Sequence, residues 1–171
     1  MGTGISIMKK RWYFLVFSLL LVSFLLFPVF HLELKDRRHN RICFVERVSK
    51  GDLLRFSYIH SVEKIPVEAV LKIDTRGFKV IETGAPSYGA GLPNVVPDHL
   101  VKREKGTFRV FAGSEVMDCF TFFISAITNP VLQSKETKIL LVEMVTEGGV
   151  MELRVRQTPA FLFFLRRLLS H

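Results

Sequence analysis

The chain reads as all-β, an antiparallel sandwich or small barrel, with an N-terminal transmembrane helix and a short C-terminal amphipathic helix. Three observations carry that expectation. Short β-branched and aromatic segments recur between turn residues from 41 to 157. No amphipathic helix of any length interrupts them, which favours packed or closed antiparallel sheets. An uncharged apolar run precedes them, and an apolar segment containing two arginines follows them.

Residues 1–11 are short and carry Lys9, Lys10 and Arg11, as expected of a cytoplasmic N-terminus. Trp12–Phe30 is uncharged, broken only by Ser18, Ser23 and Pro28. At about 1.5 Å per residue, such a run just spans a bilayer core. A buried core helix is rarely apolar on every side for so long. A cleaved signal peptide would end at small residues, and Leu26 to His31 offers none. The expectation for 12–30 is therefore a retained single-pass anchor, with the body of the protein outside the cytoplasm. Lys35, Arg37 and Arg38 on the far side pull against that orientation.

Residues 31–40 are polar and charged and read as a tether. The β-domain follows over 41–157. Its strand-like segments are Arg41–Val48, Leu53–Ile59, Val67–Asp74, Phe78–Thr83, Thr107–Ala112, Cys119–Thr128, Ile139–Val145 and Val150–Arg156. Gly51-Asp52 and Arg76-Gly77 mark turns, and Thr146 to Gly149 predicts a hairpin between the last two strands. Sixteen phenylalanines are available for the core. Within 158–171, Pro159–Leu169 predicts a helix with proline at a tolerated first position. It is too short to span a bilayer. It either covers the open end of a barrel or returns to the membrane with Arg166 and Arg167 near the head groups.

A chain of 171 residues has room for one modest domain beyond the anchor. The formal charge of +8 is spread along it, and no basic run is interleaved with aromatics. That pattern fits a protein lying near anionic lipid and argues against nucleic-acid binding. Cys43 and Cys119 are the only cysteines, too few and too distant for a metal framework. Outside the cytoplasm they are either one disulfide or two buried thiols.

Chemistry-bearing residues concentrate in two stretches, Tyr58–Glu68 and Ala85–Pro93. Alternation puts Leu54, Phe56, Tyr58 and His60 on one face of the first strand. Val67, Ala69, Leu71 and Ile73 form the apolar face of the next, with Glu68, Val70 and Lys72 opposite. In a hairpin the apolar faces coincide, so His60 lies at the core rim and Glu68 faces away. A joint His60–Glu68 site would need a bulge, whereas Glu63 in the turn is free to approach His60. His60 and Ser61 diverge in an extended strand, there is no G-x-S-x-G elbow, and no zinc-ligand spacing occurs. The expectation is no enzyme, no metal and no cofactor. Ser87-Tyr-Gly-Ala-Gly-Leu-Pro93 lacks the nucleotide-loop patterns. Gly89 and Gly91 would let backbone N–H groups approach a ligand or a neighbouring strand.

The pair of motifs, His60-Ser-Val-Glu-Lys-Ile-Pro-Val-Glu68 and Ser87-Tyr-Gly-Ala-Gly-Leu-Pro93, resembles an uncharacterised prokaryotic domain-of-unknown-function family. Its members are small exported β-rich proteins encoded beside tripartite ATP-independent periplasmic (TRAP) transporters of the TAXI type. The resemblance covers roughly Arg41 to Arg156. The matching positions are His60, Ser61, Val62, Glu63, Pro66, Glu68, Ser87, Gly89, Ala90, Gly91 and Pro93, with Tyr88 where phenylalanine is common. It implies association rather than chemistry: an accessory protein that docks the transporter's membrane subunit or its solute-binding protein. The expected binding surface is His60, Ser61, Glu63, Pro66, Glu68, Ser87, Tyr88, Gly89, Gly91 and Pro93. A binding module for a small acidic or metal-containing ligand at the same surface is the alternative, and a hydrolase using Ser61 or Ser87 is weaker.

Overall fold

The computed structural model describes residues 3–87, 101–104, 106–111, 115–135, 137–145 and 148–170, with the side chains of residues 3–9 and 104 left out of that description. A helix, α1 (Thr3–Leu26), leads into eleven strands and a final helix. The strands are β1 (Pro28–Asp36), β2 (Arg41–Arg47), β3 (Leu53–Ile59), β4 (Pro66–Asp74), β5 (Gly77–Ala85), β6 (Val101–Glu104), β7 (Thr107–Val110), β8 (Cys119–Phe123), β9 (Val131–Gln133), β10 (Lys138–Leu140) and β11 (Val150–Pro159). The last helix is α2 (Ala160–Leu169).

The strands make two antiparallel sheets. One has four strands in the order β2-β1-β11-β8, and the other has seven in the order β10-β9-β3-β4-β5-β7-β6. They face one another as a sandwich and do not close into a barrel. The core follows from period-2 alternation. Leu32 and Leu34 of β1, Met151 and Leu153 of β11, and Phe122 of β8 meet Leu54 and Phe56 of β3 and Leu71 and Ile73 of β4. Phe56 lies 5.0 Å from Phe120 and 4.8 Å from Phe122 between ring centroids, an aromatic bridge between the sheets. The expected coincidence of hairpin faces is present: Leu54 stands opposite Leu71, Phe56 opposite Ala69, and Tyr58 opposite Val67.

Residues 31–36 are not a tether. They form most of β1, which lies inside its sheet between β2 and β11. The alternation was there to read, because Phe30, Leu32 and Leu34 face the core while His31 and Glu33 occupy the other face. That other face is buried too, beneath α2, where Glu33 accepts from Arg166 and the His31 ring packs against Phe163.

The expected span over 12–30 is also shortened. Helix α1 ends at Leu26, because Pro28 opens β1 and the chain turns into the sheet. Its apolar run from Trp12 to Leu26 is about 22 Å long at 1.5 Å per residue, against a hydrocarbon core of about 30 Å. Among the described residues no helix is long and apolar enough to cross a membrane.

The final strands do not form the predicted hairpin. β10 is only three residues long, pairs with β9, and runs into a 3-10 turn at Leu141–Glu143. β11 crosses to the other sheet, where it pairs with β1 and β8. Cys119–Thr128 is strand only as far as Phe123. Cys43 and Cys119 sit on β2 and β8, the two opposite edges of one sheet. Three strand spacings, about 14 Å, separate such edges, and a disulfide needs Cα atoms within about 7 Å. Both thiols are free.

Candidate functional site

The hairpin between β3 and β4 is closed by residues 60–65. Ile59 pairs with Pro66. The His60 N–H donates to Ile65 O at 2.8 Å, and the Lys64 N–H donates back to His60 O at 2.9 Å. Lys64 adopts a left-handed conformation, φ 56°, to make that return. The Glu63 N–H donates to His60 Nδ1 at 3.2 Å, so this ring nitrogen acts as the acceptor. The imidazole thus serves as a brace within its own turn, and Val62 stands 80% exposed near the tip.

The second stretch meets this turn through one contact. Ser87 Oγ donates to Glu63 Oε2 at 3.0 Å. Beneath that contact, Val67, Ala85 and Val110 form a small buried cluster to which Ile65 and Tyr58 add partly buried surface. Burial pushes the Tyr58 hydroxyl above its ordinary pKa, so it stays neutral at the rim.

His60 and Glu68 are not brought together. Glu68 stands opposite Ser57 and accepts from Arg55 Nη1 at 2.9 Å on the outward face of β3 and β4. Ser61 and Pro66 are exposed beside the turn, and among the described residues Ser61 makes no hydrogen bond to His60. Tyr88, Gly89, Gly91 and Pro93 lie outside the described residues. Among the described residues no group of three or more His, Cys, Asp or Glu side chains could hold a metal ion.

A surface cavity of 330 Å³ opens next to the turn. Ser57, Pro66 and Glu68 line one side, and Pro86, Thr107 and Arg109 the other. Arg109 also pairs with Glu82. Sequence reading missed Arg55, Thr107 and Arg109 because they reach this surface only through strand pairing. Gly84 faces Glu68 on one neighbour and Arg109 on the other, which gathers the three strands under the cavity.

Residues 54–141 match the family described as a domain of unknown function, DUF1850, a little over half of the chain. The chain belongs to the DUF1850 family. No curated protein and no solved structure matches it. The DUF1850 stretch runs from β3 to β10, so it takes in nearly the whole seven-stranded sheet, β8, and both motif stretches. The other three strands of the facing sheet, β1, β2 and β11, come from outside the DUF1850 stretch, as do both helices.

Proposed function

We propose that this protein is a membrane-seated, extracytoplasmic accessory of a TRAP-type (TAXI) secondary transporter. The His60–Glu68 turn and the Ser87 segment are its docking end for the transporter's membrane subunit or solute-binding protein. The observation that carries this reading is the Ser87–Glu63 hydrogen bond, which makes one surface of two stretches far apart in sequence.

Topology supports it. Arg47 at the end of β2 pairs with His31 near the start of β1, beside α1. A short turn then starts β3, which runs away from α1 and delivers His60 to the opposite end. A partner outside the bilayer would find the turn there.

Helix α1 is the membrane seat. Its large side chains from Trp12 to Leu26 are exposed on every side, a surface that only an apolar surrounding satisfies. The stems of Lys10 and Arg11 reach toward head groups, and a bilayer thins locally around a short helix. In this reading the basic N-terminus faces the cytoplasm across the locally thinned bilayer and the β-domain lies outside.

A second reading, a small-ligand module at the same end, is favoured by the 330 Å³ cavity beside Glu68 and Arg109. The deciding experiment is affinity purification of the full-length protein from mild-detergent membranes, wild type beside Glu63→Ala/Ser87→Ala. A multi-spanning transporter subunit should be recovered in stable proportion with the wild type and lost with the variant. Recovery of the wild type alone, under conditions that preserve other membrane complexes, overturns the accessory role.

A further inference from the structure

We infer that α2 is a second membrane contact, lying in the interface of an anionic bilayer with its outward face in the lipid. The inference deepens the membrane-seated reading and rests on it.

Helix α2 has two apolar faces. The inner one packs on the four-stranded sheet: Ala160 and Phe163 are buried, the Phe163 ring lies 5.4 Å from that of His31, and Arg166 Nη1 donates to Glu33 at 2.7 Å. The outer one is Phe161, Phe164, Leu165, Leu168 and Leu169, all exposed, Leu168 by 75%. Their spacing of three and four residues makes one continuous stripe. Packing on the sheet therefore accounts for only half of the apolar surface of this helix.

The chain itself places the start of that stripe next to the lipid. The Ala160 N–H donates to Phe27 O at 2.9 Å, so α2 begins where α1 ends. If α1 is seated in the bilayer, the first turn of α2 is at its surface.

The surroundings of α2 carry the matching charge. Arg47 and Arg156 stand opposite His31 on the two neighbouring strands, so all three share the face that α2 covers. Arg167 lines a 450 Å³ cavity at the far end of α2 together with Arg47, Lys135 and Ser170, and with two carboxylates, Glu46, which accepts from Ser134 and Thr137, and Asp52. Among the described residues Arg47, Arg156 and Arg167 have no ion pair, and Lys135 is paired with Asp52. An apolar stripe flanked by unpaired guanidinium groups is the pattern of an interfacial helix on anionic phospholipid. A second copy of the chain fits worse, because a two-fold contact through this face would bring both sets of arginines together.

The test uses the full chain with Cys119→Ser and Leu168→Cys, labelled with an environment-sensitive fluorophore, Cys43 being buried. It is reconstituted in phosphatidylcholine vesicles with and without phosphatidylglycerol, with unchanged thermal unfolding as the check on folding. The expected result is blue-shifted emission, quenched by nitroxides attached near the head of the acyl chain, and more strongly with phosphatidylglycerol present. Arg47→Gln/Arg167→Gln should remove the effect of the anionic lipid. Water-like emission without quenching overturns the inference. So does blue-shifted emission with no lipid quenching that grows with the protein-to-lipid ratio, the signature of a second copy. Quenching of Trp12 by nitroxides near the head of the acyl chain, together with its protection from an aqueous quencher, reports on α1 separately, so failure at Leu168 is distinguishable from failure of the membrane seat.

Discussion

Arg166 on α2 donates a 2.7 Å hydrogen bond to Glu33 on β1, joining the end of the chain to its first strand. The Glu33 side chain is 8% exposed and Arg166 about one-third exposed. Removing the arginine leaves a nearly buried carboxylate without a hydrogen-bonded cation, His31 Nε2 lying 4.0 Å away and Arg154, its cross-strand neighbour on β11, being engaged by Glu152. After allowance for the exposure of Arg166, Arg166→Ala should cost about 1–2 kcal/mol in urea unfolding. Glu33→Leu/Arg166→Leu should recover much of that loss, because no charge is then left unpaired.

His31 is fully buried beneath Phe163, and among the described residues its Nε2 has no hydrogen-bond partner. Burial lowers its pKa below 6.5, against smaller opposing contributions from the Val29 carbonyl and Glu33, while Arg166 and Arg156 add to the lowering. Arg47 on the neighbouring strand opposes a positive charge there as well. The unfolded chain therefore binds this proton more readily, so stability is full above about pH 6.5 and falls as pH drops toward the lowered value. Unfolding midpoints between pH 7.5 and 5 should fall for the wild type and flatten for His31→Phe.

Asp36 behaves differently. Burial would raise its pKa, but the His39 side chain and the backbone N–H groups of His39 and Arg38 together hold it below the ordinary value. Its contribution to stability is complete above the usual aspartate range and is lost as pH falls through the lowered value. Asp36→Asn should flatten that acid-side loss in unfolding midpoints measured below about pH 4.

Gly77 begins β5 where a side chain has no room. A Cβ there would stand 2.0 Å from Met117 O, within the bridge that joins Phe78 to Met117. Gly77→Ala should cost about 3 kcal/mol or more, since backbone must move. Gly148→Ala meets nothing within 4 Å and is opposed only by its φ of +80°, a cost of about 1 kcal/mol. Paired thermal unfolding curves check the contrast.

His60 braces its turn through one side-chain acceptor while two backbone hydrogen bonds close the turn without it. His60→Ala should therefore leave the domain folded at a cost of about 1 kcal/mol. Recovery of the transporter partner in the same variant should fall. A protein with no folded fraction would instead make His60 a core residue.

Where local chemistry decides structure, reading the chain was enough. Alternation on Leu53–Ile59 and Val67–Asp74 located the hairpin and put Leu54, Phe56, Leu71 and Ile73 inside. It also kept Glu68 away from His60, while Glu63 meets His60 through its backbone N–H and gives its carboxylate to Ser87. The contact from Ser87 to Glu63 was not legible, because a hydrogen bond across strands depends on how the turn and the end of β5 converge.

The β-rich class, an apolar N-terminal helix, a short C-terminal helix and the concentration of polar groups near His60 and Ser87 follow from period, turn residues and charge, which are properties of neighbours along the chain. Pairing is a property of distant residues. Only the folded sandwich decided that the charged segment 31–36 is a central strand, that β10 and β11 belong to different sheets, and that Cys43 and Cys119 stand at opposite edges. His31, Glu33 and Asp36 look like tether residues until α2, Arg166 and His39 supply their partners. Burial of a charge is decided by what comes to cover it, and that covering comes from residues far away in sequence.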